Sequence, residues 1–314
     1  MTRIAAIDLG SLTVRLAVAE VTGPGRFRTL GHWREVTGLG QGLAETGYLD
    51  PEAMARTLTT LGRFVREMQA HGVTRCRAAA TQAVRQAANR EDFLQKVREL
   101  AIPVQLLSPE EEARLTLQGV LSALEPRYRE ADPLVVFDVG GGSSEFVLVR
   151  PGQEPWFAGL PVGVLALRQT HPVGDPPAPE RVTALKFKLQ GLLKSFYAEN
   201  FASRLANAPT LVGTAGAVTT LAAMALKMTD YDPQKVNNLV LLKSQVKELA
   251  SQILALPEAA RARLPGMEPA KAGVMVAGVL LILAILEVFH QDRLVVIDSG
   301  LLEGLLAELA AGFP

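Results

Sequence analysis

A single cysteine, Cys76, in 314 residues leaves no partner for an internal disulfide and no thiol set for a structural zinc site. It is expected to be a buried thiol in a strand. The four histidines, His32, His71, His171 and His290, are scattered without an H-E-x-x-H pairing, which argues against a histidine-bound metal. Aromatic residues make up only 5% of the chain, and Trp33 and Trp156 stand apart from any basic run, so no stacking platform for nucleic acid is expected. Charge of one sign is also missing: 32 basic side chains balance 32 acidic ones, and nothing in the net charge draws the chain to nucleic acid or to an anionic membrane. There is no G-x-x-x-x-G-K-[ST], no G-x-G-x-x-G after the first strand, and no G-x-S-x-G around Ser143. P-loop, dinucleotide-binding and serine-hydrolase chemistries are thereby disfavoured. Met1-Thr2-Arg3 runs directly into Ile4–Asp8, unlike a secretory leader, and the chain is expected in the cytoplasm. The uncharged run from Ala272 to Leu286 would rise about 22 Å as a helix, short of a bilayer core of about 30 Å, so a helix buried on all sides is expected.

Apolar residues supply 48% of the sequence, enough for large cores, and the length suits two domains. Short β-branched runs at Ile4–Leu9, Val14–Val21 and Arg26–Val36 read as strands. Asp50-Pro51-Glu52 then opens a helix expected to reach about Ala70. Ser108-Pro109-Glu110-Glu111 carries a second helix start, with Ser108 as cap and Glu111 as its capping-box partner. Further strands are expected at Leu134–Val139, Ser143–Val149, Glu154–Leu160 and Leu294–Ile297. Ile4-Ala5-Ala6-Ile7-Asp8-Leu9-Gly10-Ser11 is echoed 130 residues later by Leu134-Val135-Val136-Phe137-Asp138-Val139-Gly140-Gly141. An echo at that distance means a duplicated domain, giving units at 1–125 and 126–314, each α/β with antiparallel hairpins leading a mixed sheet.

An Asp-x-Gly at a strand end can aim backbone N–H groups at an anion, because glycine permits close approach, while the aspartate can hold a cation that balances phosphate charge. The second hairpin is the richer one: Gly140-Gly141-Gly142-Ser143-Ser144 offers three bare amides and two hydroxyls, and Glu145 follows Asp138 by seven residues, near enough to share a metal. For the first, Asp8 with Gly10 and Ser11 is equally an ordinary turn. Gly213-Thr214-Ala215-Gly216, between a strand and a helix, is a third possible phosphate loop. Helix polarity alone accounts for Glu110 and Glu111 but less well for Glu112. Arg85 is either a solvated helix residue or a fork for a phosphoryl group.

Ala6–Ser11, Thr81–Asn89, Glu111–Leu115, Val136–Glu145, Val212–Gly216 and Gly300–Leu306 occur in the order found in one family. The chain resembles the exopolyphosphatase / guanosine pentaphosphate phosphohydrolase family of the actin-like ATPase superfamily, in its short, two-domain form. That resemblance implies two ribonuclease-H-like domains, mixed sheets flanked by helices, and an active-site cleft between them that holds a phosphate chain with Mg2+. It further implies Glu112 as the base that activates water and Arg85 as the contact to the terminal phosphoryl group. Asp138 and Glu145 would hold the metal, and Asp8, Gly10, Ser11, Gly140, Gly141, Gly142, Ser143, Gly213, Thr214 and Gly216 would line the phosphate loops. The implied substrates are inorganic polyphosphate or guanosine pentaphosphate, with no nucleic acid or membrane partner; a homodimer is an expectation from apolar content alone.

The chain departs from the family pattern at Leu12, where Asn is common, at Leu165-Ala166, where an Arg is often found, at Gly273, a frequent Asp, and at Leu302, a frequent Arg. These changes remove polar groups around the implied site while sparing its base and metal ligands. Two readings follow: a phosphohydrolase with altered or reduced turnover, and a weak or inactive protein that senses polyphosphate or the guanosine alarmone.

Overall fold

The computed structural model describes residues 2–312. They form two compact units, one of residues 2–122 with 299–312 and the other of residues 123–298. The first carries β1 (Arg3–Leu9), β2 (Thr13–Gly23), β3 (Arg26–Val36), β4 (Arg75–Ala80) and β5 (Val104–Leu106), in the sheet order β3-β2-β1-β4-β5. The second carries β6 (Leu134–Val139), β7 (Ser144–Val149), β8 (Trp156–Leu160), β9 (Thr210–Thr214), β10 (Leu239–Leu242) and β11 (Arg293–Val296). Its order is β10-β11-β9-β6-β7-β8. In each sheet an antiparallel three-strand meander leads and two parallel strands follow beside its first strand. The second sheet adds β10, antiparallel at the far edge, which the sequence pattern does not announce.

The duplication expected from the echo is present down to the turn. Gly10 N–H donates to Thr13 O at 3.1 Å, and Gly140 N–H donates to Ser143 O at 3.0 Å. Asp8 pairs across the hairpin with Arg15, and Asp138 pairs with Glu145 at the same seven-residue spacing.

Helix starts follow the local chemistry. Asp50 accepts the Ala53 N–H at 2.8 Å, with Pro51 in the first turn, and the helix runs Pro51–Ala70 as expected. Ser108 and Glu111 exchange reciprocal bonds of 2.8 and 3.2 Å, which also holds the Glu111 carboxyl below its usual range. The apolar run becomes the helix Met275–Val288, buried except at Leu283 and Glu287. No helix among the described residues is long and apolar enough to cross a membrane. Around it Phe146 packs against Phe137, Phe196, Phe201 and Phe289, so the second core is aromatic. Burial pushes the Cys76 thiol up to about 12, as suits an inert packed cysteine.

The division at residues 125 and 126 needs one correction. The helix Leu301–Ala311 packs on the first sheet and not in the second unit. Leu301, Leu302, Leu305 and Leu306 fill a core with Ile4, Ala6, Ala17 and Leu115. Small residues of β1 and β2 leave a shallow face that only an added apolar helix can cover. Glycines make that seat: a Cβ on Gly119 would lie 1.9 Å from Gly300 O, and one on Gly304 would lie 2.1 Å from Leu115 O. Ser299 Oγ closes the contact by donating to Gly119 O at 2.7 Å. Leu302, where the sequence resemblance leads one to expect Arg, is a core residue here.

Candidate active site

In the N-terminal unit the chain turns sharply after β4 into the short helix Gln82–Gln86, which carries Arg85. The Pro109–Ala123 helix follows β5 and presents Glu112 in its first turn. One Arg85 terminal nitrogen donates to Leu107 O at 2.6 Å and to Glu112 Oε2 at 3.2 Å. Arg85 is thereby a held fork and not a solvated helix residue. The two side chains are 21% and 14% exposed, so each keeps a face open to a ligand. Glu110 is exposed at the helix start and Glu111 is spent on its cap, which leaves Glu112 as the acid with a partner of chemical interest.

The first glycine turn has a different character from the second. Asp8 is 4% exposed, and its Oδ2 accepts from Arg15 Nε at 3.0 Å and from the terminal nitrogen at 2.7 Å. Its charge is balanced within the hairpin. Arg15 was missed in the sequence, although the seven-residue spacing that pairs Asp138 with Glu145 would have found it. Ser11 is buried and accepts the Gly40 N–H on its carbonyl at 2.8 Å, while Leu12 O accepts from Thr37 and Gly38.

Glu303, on the returning helix, is also enclosed. Its Oε2 accepts the Gly300 N–H at 2.7 Å, and burial raises its pKa against the opposing pull of Arg15 and His32. A carboxyl whose folded pKa lies above its unfolded value stabilises the fold fully below about pH 4.5, and that stability is lost as pH rises. Glu303→Gln is therefore expected to gain melting temperature relative to wild type between pH 4.5 and 7. Thermal unfolding across that range checks it, and a difference independent of pH counts against it.

In the C-terminal unit Asp138 and Glu145 are direct cross-strand neighbours in the β6–β7 register, which puts both carboxylates on one face about 5 Å apart at Cβ. Glu145 and Ser143 are buried, while Gly140, Gly141 and Gly142 are half-buried. Two adjacent carboxylates suit a hard divalent cation that completes its shell with water and phosphate oxygens. No group of three or more His, Cys, Asp or Glu side chains placed to hold a metal occurs among the described residues. The donor set thus fits magnesium better than zinc.

The third loop divides. Gly213 lies inside β9, where a Cβ would meet Phe137 Cζ at 2.7 Å, so packing accounts for this glycine. Thr214 is buried at the N-cap of the Ala215–Ala225 helix, and Ala215 takes a left-handed φ of 70°. Gly216 faces Lys271, whose Nζ would lie 2.9 Å from a Cβ there and which pairs with Glu268 at 2.8 Å. Lys271 is 3% exposed. In sequence it appears only as the charge bracketing an apolar run. Gly273 lies against the Arg168–Glu258 ion pair; a Cβ there would lie 2.1 Å from an Arg168 terminal nitrogen, the mobile end of a half-exposed side chain that would have to shift.

Residues 17–312 match the Ppx/GppA phosphatase family. The chain belongs to that family. It is 30% identical to exopolyphosphatase 2 of Mycobacterium tuberculosis (strain CDC 1551 / Oshkosh), across 99% of both chains. The crystal structure of the Aquifex aeolicus member of the Ppx/GppA family superposes with a TM-score of 0.80 at 33% identity, covering 100% of this chain and 99% of the other. An exopolyphosphatase from Cytophaga hutchinsonii superposes with a TM-score of 0.87 at 25% identity, covering 100% and 99%. The family is one of phosphoanhydride hydrolases, and the two mixed sheets of the Ppx/GppA chain have the ribonuclease-H-like arrangement that the sequence resemblance implied.

Proposed function

We propose that this Ppx/GppA phosphatase releases terminal phosphate from inorganic polyphosphate, with guanosine pentaphosphate as a second substrate of the same chemistry. The observation that carries the reading is the Arg85–Glu112 pair at 3.2 Å. A planar cation that can fork onto phosphoryl oxygens sits beside a carboxylate that can take a proton from water. An entering phosphoryl group competes for the Arg85 guanidinium, and as the guanidinium turns to phosphate oxygens the Glu112 carboxylate is released to accept that proton. Phosphoanhydride hydrolysis asks for little else than positioning and charge stabilisation. Asp138 and Glu145 would hold Mg2+, which when bound neutralises charge on the phosphate oxygens. The Gly140–Ser143 turn supplies amides and Ser143 a hydroxyl to the phosphate chain, and Gly10 with Ser11 forms the equivalent turn of the first repeat. Asp8, bound to Arg15, shapes that first turn.

That relatives are named exopolyphosphatase supports testing polyphosphate first. The test is phosphate release by the wild-type chain from long-chain polyphosphate and from guanosine pentaphosphate, with magnesium and with a chelator. Magnesium-dependent release from polyphosphate is expected. Tight binding of either compound with negligible release would instead make the protein a sensor, the reading that the departures at Leu12 and Gly273 favour.

A further inference from the structure

The Gly140–Ser143 turn does not stand alone; it rests on the first turn of the helix Val164–Thr170. Val164 N–H donates to Gly140 O at 3.0 Å, and the N–H groups of Leu165 and Ala166 donate to Gly141 O at 2.8 and 3.1 Å. Both peptide units are trans, and in a trans peptide the N–H points opposite to the C=O. Fixing the Gly140 and Gly141 carbonyls onto the helix therefore aims the N–H groups of Gly141 and Gly142 the other way, out of the turn. Neither of these amides has an acceptor among the described residues. Two successive donors left unpaired, three and four residues along the hairpin from Asp138, are what a phosphate oxygen needs.

This contact exists only because residue 163 has no side chain. A Cβ on Gly163 would lie 2.4 Å from Gly141 C, 2.4 Å from Gly142 N and 2.5 Å from Gly141 O, against the peptide bond whose N–H is being aimed. Its backbone, at φ −134° and ψ 170°, is open to any residue, so the demand for glycine here is steric alone. Ser144, directly after the turn, donates its hydroxyl to Val162 O at 2.7 Å and ties the same two segments together from the other side.

We propose that Gly163 is a positioning residue for the phosphate-binding amides of Gly141 and Gly142, a role that rests on the phosphohydrolase reading above. An alanine there has to push the Gly141–Gly142 peptide by about 1 Å to reach an ordinary contact distance, and a misplacement of that size costs on the order of 100-fold in rate. Gly191, exposed in the Pro179–Asn200 helix, meets nothing within 4 Å and is the control for the same substitution.

The experiment compares wild type, Gly163→Ala and Gly191→Ala by phosphate release from long-chain polyphosphate, by melting temperature, and by the amide resonances of Gly141 and Gly142 during titration with magnesium tripolyphosphate. Gly163→Ala is expected to lose about 100-fold in kcat/KM, with tripolyphosphate no longer shifting the two resonances. Gly191→Ala is expected to match wild type in phosphate release and in the two resonances, with a melting temperature no lower than wild type. If wild type releases no phosphate but its Gly141 and Gly142 resonances still respond, and those of Gly163→Ala do not, the hydrolase reading fails and the positioning role stands. Wild-type resonances that ignore tripolyphosphate, or a Gly163→Ala protein within threefold of wild type in kcat/KM, overturn it. Should Gly163→Ala fail to fold, Ala166→Pro removes one of the two donors to Gly141 O from a first helical turn, where proline is tolerated. A smaller loss accompanied by moved Gly141 and Gly142 resonances is then expected, and unchanged activity and resonances overturn the proposal.

Discussion

Glu112→Gln is expected to lower the rate of phosphate release from polyphosphate by 100-fold or more, in line with the roughly 10²–10⁴-fold usually supplied by a general base. Glutamine keeps the size of the side chain and an oxygen that can still accept from Arg85, so the 3.2 Å contact survives while the proton acceptor is lost. The effect should fall on kcat, because nothing assigns Glu112 a bond to the ground-state phosphate chain. Tripolyphosphate affinity, measured by calorimetry with magnesium present, should change by less than about threefold. Retention of more than a third of wild-type kcat would remove Glu112 from the chemistry. A variant that loses affinity and rate together would mean that the carboxylate organises the site instead.

The second large effect concerns the fold. Gly119→Ala places a methyl group 1.9 Å from the Gly300 carbonyl oxygen, where both sides of the contact are backbone. Overpacking a close contact costs about 1–3 kcal/mol and occasionally more, and a rigid backbone neighbour puts this case at the upper end. A loss of about 3 kcal/mol corresponds to a fall of roughly 10 °C in the melting of the N-terminal unit. Gly62→Ala provides the opposite sign. Gly62 lies in the Pro51–Ala70 helix with nothing within 4 Å of its Cβ position, so alanine there should stabilise by about 0.5–1 kcal/mol. Calorimetric scans of the two variants decide the matter: equal melting temperatures would mean that the Gly119 seat yields freely. Because Gly119 and Glu112 share one helix, the destabilised variant should also lose activity.

How much of this was legible beforehand depends on the range of the interaction. The 130-residue echo, the Asp50 and Ser108 caps and the buried Met275–Val288 helix all follow from local pattern, and the structure carries each of them. The residues singled out at the second glycine turn come together because Asp138 and Glu145 are seven apart across a tight hairpin, a spacing visible in one dimension. What stayed hidden are contacts between distant segments. The helix Leu301–Ala311 reads as the end of the second half, since nothing local says which sheet lacks a cover. Gly213 looks like its neighbours in a glycine loop, yet it is a packing glycine under Phe137, and Gly163 gives no local sign of the peptide it admits. Arg168 fills the space at Gly273 from a helix a hundred residues earlier, so a departure that resembles a simple loss of charge is in part an exchange.

The return of the Leu301–Ala311 helix to the first sheet reverses the order in which the two halves can be completed during translation. Residues 123–298 form one uninterrupted stretch and can close their core as soon as they emerge from the ribosome, whereas the β1–β2 face, made before them, waits for a segment made after them. Protease challenge of the released chain truncated after residue 298 should find the later half resistant and the earlier half still cleavable. The reverse pattern would show that the first sheet does not depend on the helix that covers it.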